Sequence, residues 1–371
     1  MANTFVTLQE IARQALPRLS DNLVFPSLIH RDFSEDFHGV GDTVRVRKPV
    51  VYTASEFDED AGVTYQDIVE DSVEVTLKHI ATVDARASAI EAATSIDDLN
   101  RVFVEPAASA IAEKINQDGL KLYADVFQNV GAAGTTPSSL AEIAAARKAL
   151  NAAKAPGAGR CAVWDVDADA SLTAIDALVH AEKSGSTRAL REGAIGRVYG
   201  IDNYLSQGVL RHESKITAKT GVKVNGAVSA GARVLSIDAT ALTGKLVKGD
   251  ILSIGGGSYV VTEDSAAAAG NAIANVKVYP ALPATADNAD VTIVGSHAAN
   301  LAFHPMAFAY VTRPLANPDG QGVESYVTSF NGLSLRVTRG YDQQYKRSIY
   351  SMDVLYGFKT VYPELAVRVL G

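Results

Sequence analysis

Residues 43–77 read TVRVRKPVVYTASEFDEDAGVTYQDIVEDSVEVTL, and this stretch decides how the rest of the chain is organised. Thr43 to Arg47 alternate as a half-buried strand does, and Pro49 limits its continuation. Val69, Val73, Val75 and Leu77 mark a second alternating run. From Val51 to Leu77 there is no Lys or Arg, whereas Glu56, Asp58, Glu59, Asp60, Asp67, Glu70, Asp71 and Glu74 are acidic. Two strands joined by an acidic tip containing Gly62 predict a long hairpin loop. Like charges crowded on one loop repel each other, so the loop should lie against cations elsewhere or stay solvated. Arg45, Arg47 and Lys48, just before it, form a small basic cluster. It suits either the acidic loop of a neighbouring copy or DNA.

Before the loop, the chain reads as an arm. Thr7 and Glu10 make a capping box for a short amphipathic helix with Leu8, Ile11, Ala12, Ala15 and Leu16 on one face, which Pro17 ends or kinks. Leu23, Val24, Phe25, Leu28 and Ile29 then form an apolar patch that needs cover, such as a neighbouring subunit would give. After the loop, Ser95 to Asp98 is a weak cap, and Pro106 suits the first turn of a long helix. Ile111, Ile115, Leu122 and Val126 carry its spacing as far as Val130, a spine of about 36 Å at 1.5 Å per residue, with Gly119 as a bend. Ser139 and Glu142 cap another helix, Cys161 to Trp164 is a buried strand, and Ala170 to Ala181 returns to helical spacing. A strand around Arg197 to Leu205 follows a Gly-rich loop.

From about 217 to 296 the texture changes to six short β-branched runs between Gly, Asn and Asp turns: 222–224, 234–237, 251–254, 259–262, 276–279 and 291–294. Only Ala266 to Ala269 offers helix material. Such spacing predicts a compact all-β unit, a small barrel or sandwich, inserted into the surrounding α/β texture. Beyond it, Pro305 opens a single turn before a strand at Phe308, and alternating strands follow at 333–338 and 348–361. Pro363 then turns the chain into a last strand, 365–370.

Composition narrows the function. With 47% hydrophobic and 20% charged residues among 371, the chain can build a sizeable core. Its 34 Lys and Arg against 42 Asp and Glu leave a net charge of −8, the wrong sign for a protein that binds DNA by releasing counterions. One cysteine, Cys161, excludes an intrachain disulfide and a multi-cysteine metal site. MANTFVTLQEIARQAL has no basic region before an apolar run, so no secretory signal is expected, and no apolar run is long enough to span a membrane.

Catalytic and binding motifs fail on spacing. Asp165, Asp167 and Asp169 begin like a calcium loop, but Ala170 and Asp176 stand where Gly and Glu are needed, so Asp165 reads as a helix cap. Thr243-Gly244-Lys245 lacks the Ser or Thr and the earlier Gly of a phosphate loop. None of the seven histidines (30, 38, 79, 180, 212, 297, 304) has metalloprotease spacing, so they read as lone core or surface residues. No catalytic, metal-binding or cofactor-binding residues are assigned.

The order of arm, hairpin loop, spine helix, α/β unit, inserted β unit and return strands resembles the HK97-type fold of tailed-phage major capsid proteins, in the group whose coat proteins carry an insertion domain. Phe33 to Pro49 (FSEDFHGVGDTVRVRKP) is similar to the family's junction of arm and extended loop, and Gly196 to Ser206 (GRVYGIDNYLS) to one of its strands. Lys248 to Leu252, Phe303 to Phe308 and Asp353 to Thr360 are similar to strings in the insertion, the strand after it and the C-terminal strands. The resemblance covers essentially the whole chain.

It implies an α+β fold divided as follows: arm 1–42, extended loop 43–82, peripheral domain with spine helix 83–130, axial domain 131–216 and 297–328, inserted β-barrel 217–296, and return strands 329–371. It also implies a non-enzymatic shell protein that assembles with itself as hexamers and pentamers around packaged DNA, in the virion, after synthesis in the host cytoplasm. Scaffolding, portal and, where present, decoration proteins are the implied partners; no membrane is. Arg45, Arg47, Lys48, Glu56, Asp58, Glu59 and Asp60 are then candidate inter-subunit contacts. Some relatives crosslink their shells through Lys and Asn, but this loop carries no Lys from Val51 to Leu77. The alternatives are an encapsulin-type compartment shell, a virion accessory that binds through the β unit, and a hydrolase with a dispersed site.

Overall fold

The structure is a computed structural model describing residues 8–31, 43–47, 72–88, 104–185, 188–318, 323–330 and 333–371. The chain divides into two compact units. The first comprises residues 1–20, 31–111 and 309–361, and the second residues 21–30, 112–308 and 362–371.

The first unit contains the flanks of the hairpin loop. Thr43–Arg47 pairs antiparallel with Ser72–Thr76, from Thr43 opposite Thr76 to Arg47 opposite Ser72. A five-stranded sheet is built around the 14-residue strand Arg347–Thr360, which pairs with His79–Ser88 along Arg347 to Tyr356 and with Leu333–Asp342 along Arg347 to Asp353. Val323–Phe330 extends the sheet beyond Leu333–Asp342. Alternation drives these strands, with Leu333, Leu335, Val337, Met352, Val354 and Tyr356 all buried. Gly357 is required where the hairpin approaches: a Cβ there would lie 2.5 Å from the carbonyl oxygen of Thr76.

In the second unit, the sheet runs in the order Asn129–Val130, Ala366–Leu370, His297–Phe303, Cys161–Trp164, Ile201–Leu205, Arg197–Val198, with Arg211–His212 pairing to His297–Phe303 off this path. It is mixed: Cys161–Trp164 is parallel to Ile201–Leu205, and His297–Phe303 is antiparallel to both of its main neighbours. The helix Leu140–Ala152 packs Ile143, Ala146 and Leu150 into a core with Trp164, Leu172, Ile201, Val367 and Val369. Its Ser139–Glu142 capping box forms as the sequence predicts, and Asp165 caps Val166–Thr173 by accepting from the Ala168 amide at 3.1 Å.

All six predicted runs of the β-rich region are strands of one sheet, in the order Lys223–Val224, Val234–Asp238, Ala272–Tyr279, Gly257–Val261, Ile251–Ile254, Val291–Ile293. Its end strands meet: the Val291 amide donates to the Val222 carbonyl at 3.0 Å, and the Val224 amide to the Ala289 carbonyl at 2.9 Å. Leu235, Ile237, Leu252, Val261, Ile273 and Val276 fill the space between the strands.

Several elements depart from the sequence reading. Leu8–Asn22 does not end at Pro17 but continues past it, because the buried face of Ala12, Ala15, Leu16 and Leu19 outweighs the single lost hydrogen bond. The spine helix spans Glu105–Leu120, about 24 Å at 1.5 Å per residue, and gives way just after Gly119 to a 3₁₀ turn, Lys121–Asp125. An additional ribbon pairs Lys215–Thr220 with Ala241–Lys245. Ala266 to Ala269 form no helix; Ala267 bridges to Lys245 instead.

Candidate assembly site and a buried polar node

Arg45 and Arg47 lie on Thr43–Arg47; in its register Arg45 sits opposite Glu74, an acid of the same stretch, and Arg47 opposite Ser72. Lys48, Glu56, Asp58, Glu59 and Asp60 fall outside the described residues. The two flanks pair antiparallel over five residues each.

The densest polar chemistry lies elsewhere, around Arg368 on the last strand. This arginine is 0% exposed. Its Nη2 donates to the carbonyl oxygens of Tyr123 at 2.5 Å and Val126 at 2.9 Å, and its Nη1 donates to that of Gly249 at 2.7 Å. Val126 caps the 3₁₀ turn, where helical carbonyls run out of partners, while the Tyr123 carbonyl also accepts from the Val126 amide at 3.0 Å. The guanidinium also lies over the Tyr123 ring, 4.9 Å from its centroid. Burial lowers the Arg368 pKa to about 10, so the group stays charged at neutral pH.

Asp250 is the buried counter-charge. Its Oδ2 accepts from the Val247 amide at 2.7 Å, and its Oδ1 lies 2.8 Å from His212 Nε2. An ionised carboxylate only accepts, so Nε2 of His212 carries the hydrogen, and Nδ1 meets the Tyr123 hydroxyl at 3.2 Å. Tyr123, His212 and Asp250 thus form a relay-like chain, but the imidazole is 3% exposed and the carboxylate 0%. With no opening to a substrate, the chain braces the fold.

His297 completes the node. Its Nδ1 lies 2.7 Å from the Gly295 carbonyl oxygen, which can only accept, so Nδ1 carries the hydrogen. Nε2 then offers a lone pair to Arg368 Nη1 at 3.4 Å. The His212 and His297 rings stand 5.2 Å apart, so these two histidines are not the lone residues that their spacing predicts.

Other candidates resolve into structure. Gly244 of the would-be phosphate loop has φ +101° at a bulge of the ribbon, where a Cβ would lie 2.0 Å from the Lys215 carbonyl oxygen. A cleft of about 520 Å³ beside Phe127, Asn129 and Lys154 has its acid engaged, since Glu364 accepts from the Tyr279 hydroxyl and its carbonyl from Gln128 Nε2. Among the described residues, no group of three or more His, Cys, Asp or Glu is placed to hold a metal ion, and no helix is long and apolar enough to cross a membrane.

No protein-family model matches the sequence, and no curated protein does. Solved structures do resemble it. A chain from Mycobacterium phage Che8 is 18% identical, with a TM-score of 0.53 over 94% of this chain and 90% of that one. The capsid of Ralstonia phage GP4 gives 10% identity and a TM-score of 0.48 over 92% and 86%. The mature capsid of bacteriophage PhiM1 gives 12% and 0.47 over 89% and 82%. The Che8 likeness extends along nearly the whole chain and shows a shared mixed helix-and-sheet fold.

Proposed function

We propose that this chain is the major capsid protein of a tailed double-stranded DNA phage, a non-enzymatic coat subunit that self-assembles as hexamers and pentamers into an icosahedral shell around the genome. The observation that carries this reading is the fold shared with the Che8 chain over 94% of the present one. The HK97 type is supported by the order of elements: hairpin flanks, a helix of 16 residues, a mixed α/β sheet and long return strands. An inserted barrel is supported by the end-to-end hydrogen bonding of the six-stranded sheet and its own apolar core.

Physical chemistry agrees with a container role. A net charge of −8 keeps the shell's inner wall from collapsing onto a polyanion. Many weak heterologous contacts close a surface when their geometry permits, and the acidic loop with Arg45, Arg47 and Lys48 supplies charges for such contacts. Scaffold, portal and decoration partners, virion location and assembly in the host cytoplasm follow from the same reading.

Electron microscopy of the purified chain tests it, alone and co-expressed with the neighbouring structural genes. Icosahedral shells are expected. A monodisperse monomer by light scattering across assembly conditions overturns the proposal, and shells filled with protein instead of DNA convert it to a compartment shell.

A further inference from the structure

The node around Arg368 joins five pieces of the second unit: the 3₁₀ turn 121–125, the loop 247–250, the end of Arg211–His212, the start of His297–Phe303 and the last strand. Loop 247–250 is seated closely. A Cβ on Gly249 (φ +96°) would lie 3.1 Å from the Ala124 Cβ and 3.4 Å from His212 Cε1. Besides this packing, the Arg368–Gly249 bond, the His212–Asp250 contact and the Lys248–Asp125 ion pair hold the loop in place.

His297 is the group whose proton state this arrangement constrains. Its Nδ1 hydrogen is committed to Gly295, so any added proton must go on Nε2, the atom that faces Arg368 Nη1. We propose that His297 and Arg368 form an acid-operated latch, in which protonation of His297 Nε2 displaces the Arg368 guanidinium and frees loop 247–250 from the 3₁₀ turn. The inference stands apart from the capsid reading, since it needs only the fold of the second unit.

Every charged or titratable group around the latch enters the balance. Arg368 faces His297 from the last strand and His212 from the end of Arg211–His212; both disfavour a further positive charge. Asp250 on the loop favours it, and the Gly295 carbonyl does so by hydrogen bonding. Tyr123 borders His212 and Arg368, while Asp125 acts on Arg368 and pairs with Lys248 at 2.8 Å on the flank. Burial dominates, and the His297 pKa falls to about 4.

The sign follows from that depression. Below the unfolded value of about 6.5, the open state binds the proton and the closed state does not, so closure weakens as pH falls. It is fully present above 6.5 and has lost a factor on the order of 100 by pH 4.

Hydrogen exchange of the full-length protein at pH 7, 5 and 4, corrected for intrinsic rates, reads this directly. The reporters are the guanidinium Nη hydrogens of Arg368, which are bonded to Gly249, Tyr123 and Val126 and so join the loop to the turn. Their protection should fall on the order of 100-fold between pH 7 and pH 4, while the six-stranded sheet stays closed. In His297→Gln the fall should vanish. The same fall in that variant, or none in the unaltered protein, overturns the latch. If the variant does not fold, a side-chain NMR titration of the unaltered protein decides. A His297 midpoint below 5 supports the latch, and one near 6.5 overturns it.

Discussion

The amide of Ser214 donates to Oγ of Ser296 over 3.1 Å, so the chain leaves for the six-stranded sheet and returns from it at one point. His212 opposite His297 and Arg211 opposite Ala298 continue the same closure into the host sheet. An insertion with touching ends costs its host little loop-closure entropy. Residues 217–296 also carry their own buried core, including Leu235, Ile237, Leu252, Val261 and Val276. Expressed alone, this segment should give dispersed amide NMR signals and a cooperative melt. A disordered spectrum would show that it depends on its host.

The host depends on the segment more than the reverse. Excision of 217–296 removes the Gly249 carbonyl and Asp250, leaving Arg368 and His212 short of partners in a buried site. Arg368→Met isolates the same dependence. It strands the carbonyls of Val126 and Gly249, takes one of two donors from that of Tyr123 and leaves Asp250 without its cation, a loss of about 3–5 kcal/mol. Arg368→Lys keeps the charge but cannot span all three carbonyls, so its loss should fall between the two. Denaturant melts rank the variants, and equal stability of Arg368→Lys and the unaltered chain would count against a geometric role for the fork.

Glycines of similar sequence context should separate sharply. Gly244→Ala places a Cβ against the Lys215 carbonyl oxygen in a backbone conformation that alanine resists, and should cost well over ~1 kcal/mol or unpair the ribbon. Gly256→Ala, at φ +82° but in open space, should cost only about 1 kcal/mol. Thermal melts of the two variants make the comparison.

Legibility in the sequence follows range. The six strands of 223–293 are readable because β-branched runs sit between turn formers, each a local signal. Lys215–Thr220 is not, since its Lys and Thr residues flank only one large apolar side chain, Ile216, and look like loop, and Thr243-Gly244-Lys245 hides a bulge. Spacing carries the spine helix past Leu120 because Leu122 and Val126 keep helical register. It cannot show that Arg368 caps the carbonyls of a 3₁₀ turn there. The node was beyond reach for the same reason: His212, Asp250, His297 and Arg368 converge only through the sheet. Arg368, between Val367 and Val369, alternates like an outward-facing strand residue, yet it is fully buried.

Cys161 should be silent to thiol reagents until the second unit opens. It is buried on Cys161–Trp164, its thiol lies 3.4 Å from the Gly159 carbonyl, and burial lifts its pKa to about 11. At pH 8 roughly one molecule in a thousand then carries the reactive thiolate. Alkylation in native buffer should be slow and should accelerate in step with denaturant unfolding. Rapid labelling of the native protein would place this strand at the surface.

The last prediction concerns the acidic loop as an inter-subunit contact. Its flanks pair antiparallel, with Arg45 opposite Glu74, and the run from Val51 to Leu77 carries no cation of its own. Charge that repels itself within a loop is relieved when the loop lies on a basic surface of a neighbour. Individual exposed pairs contribute only ~0.2–1 kcal/mol, so single substitutions should look normal. Replacing Glu56, Asp58, Glu59 and Asp60 together by Ser should weaken assembled particles measurably. The deficit should be largest in dilute salt, because at high ionic strength the unaltered loop has already lost most of its attraction. Particle melting by light scattering at two salt concentrations measures this. A quadruple variant as stable as the unaltered particle in dilute salt would remove charge from the account of how the loop docks.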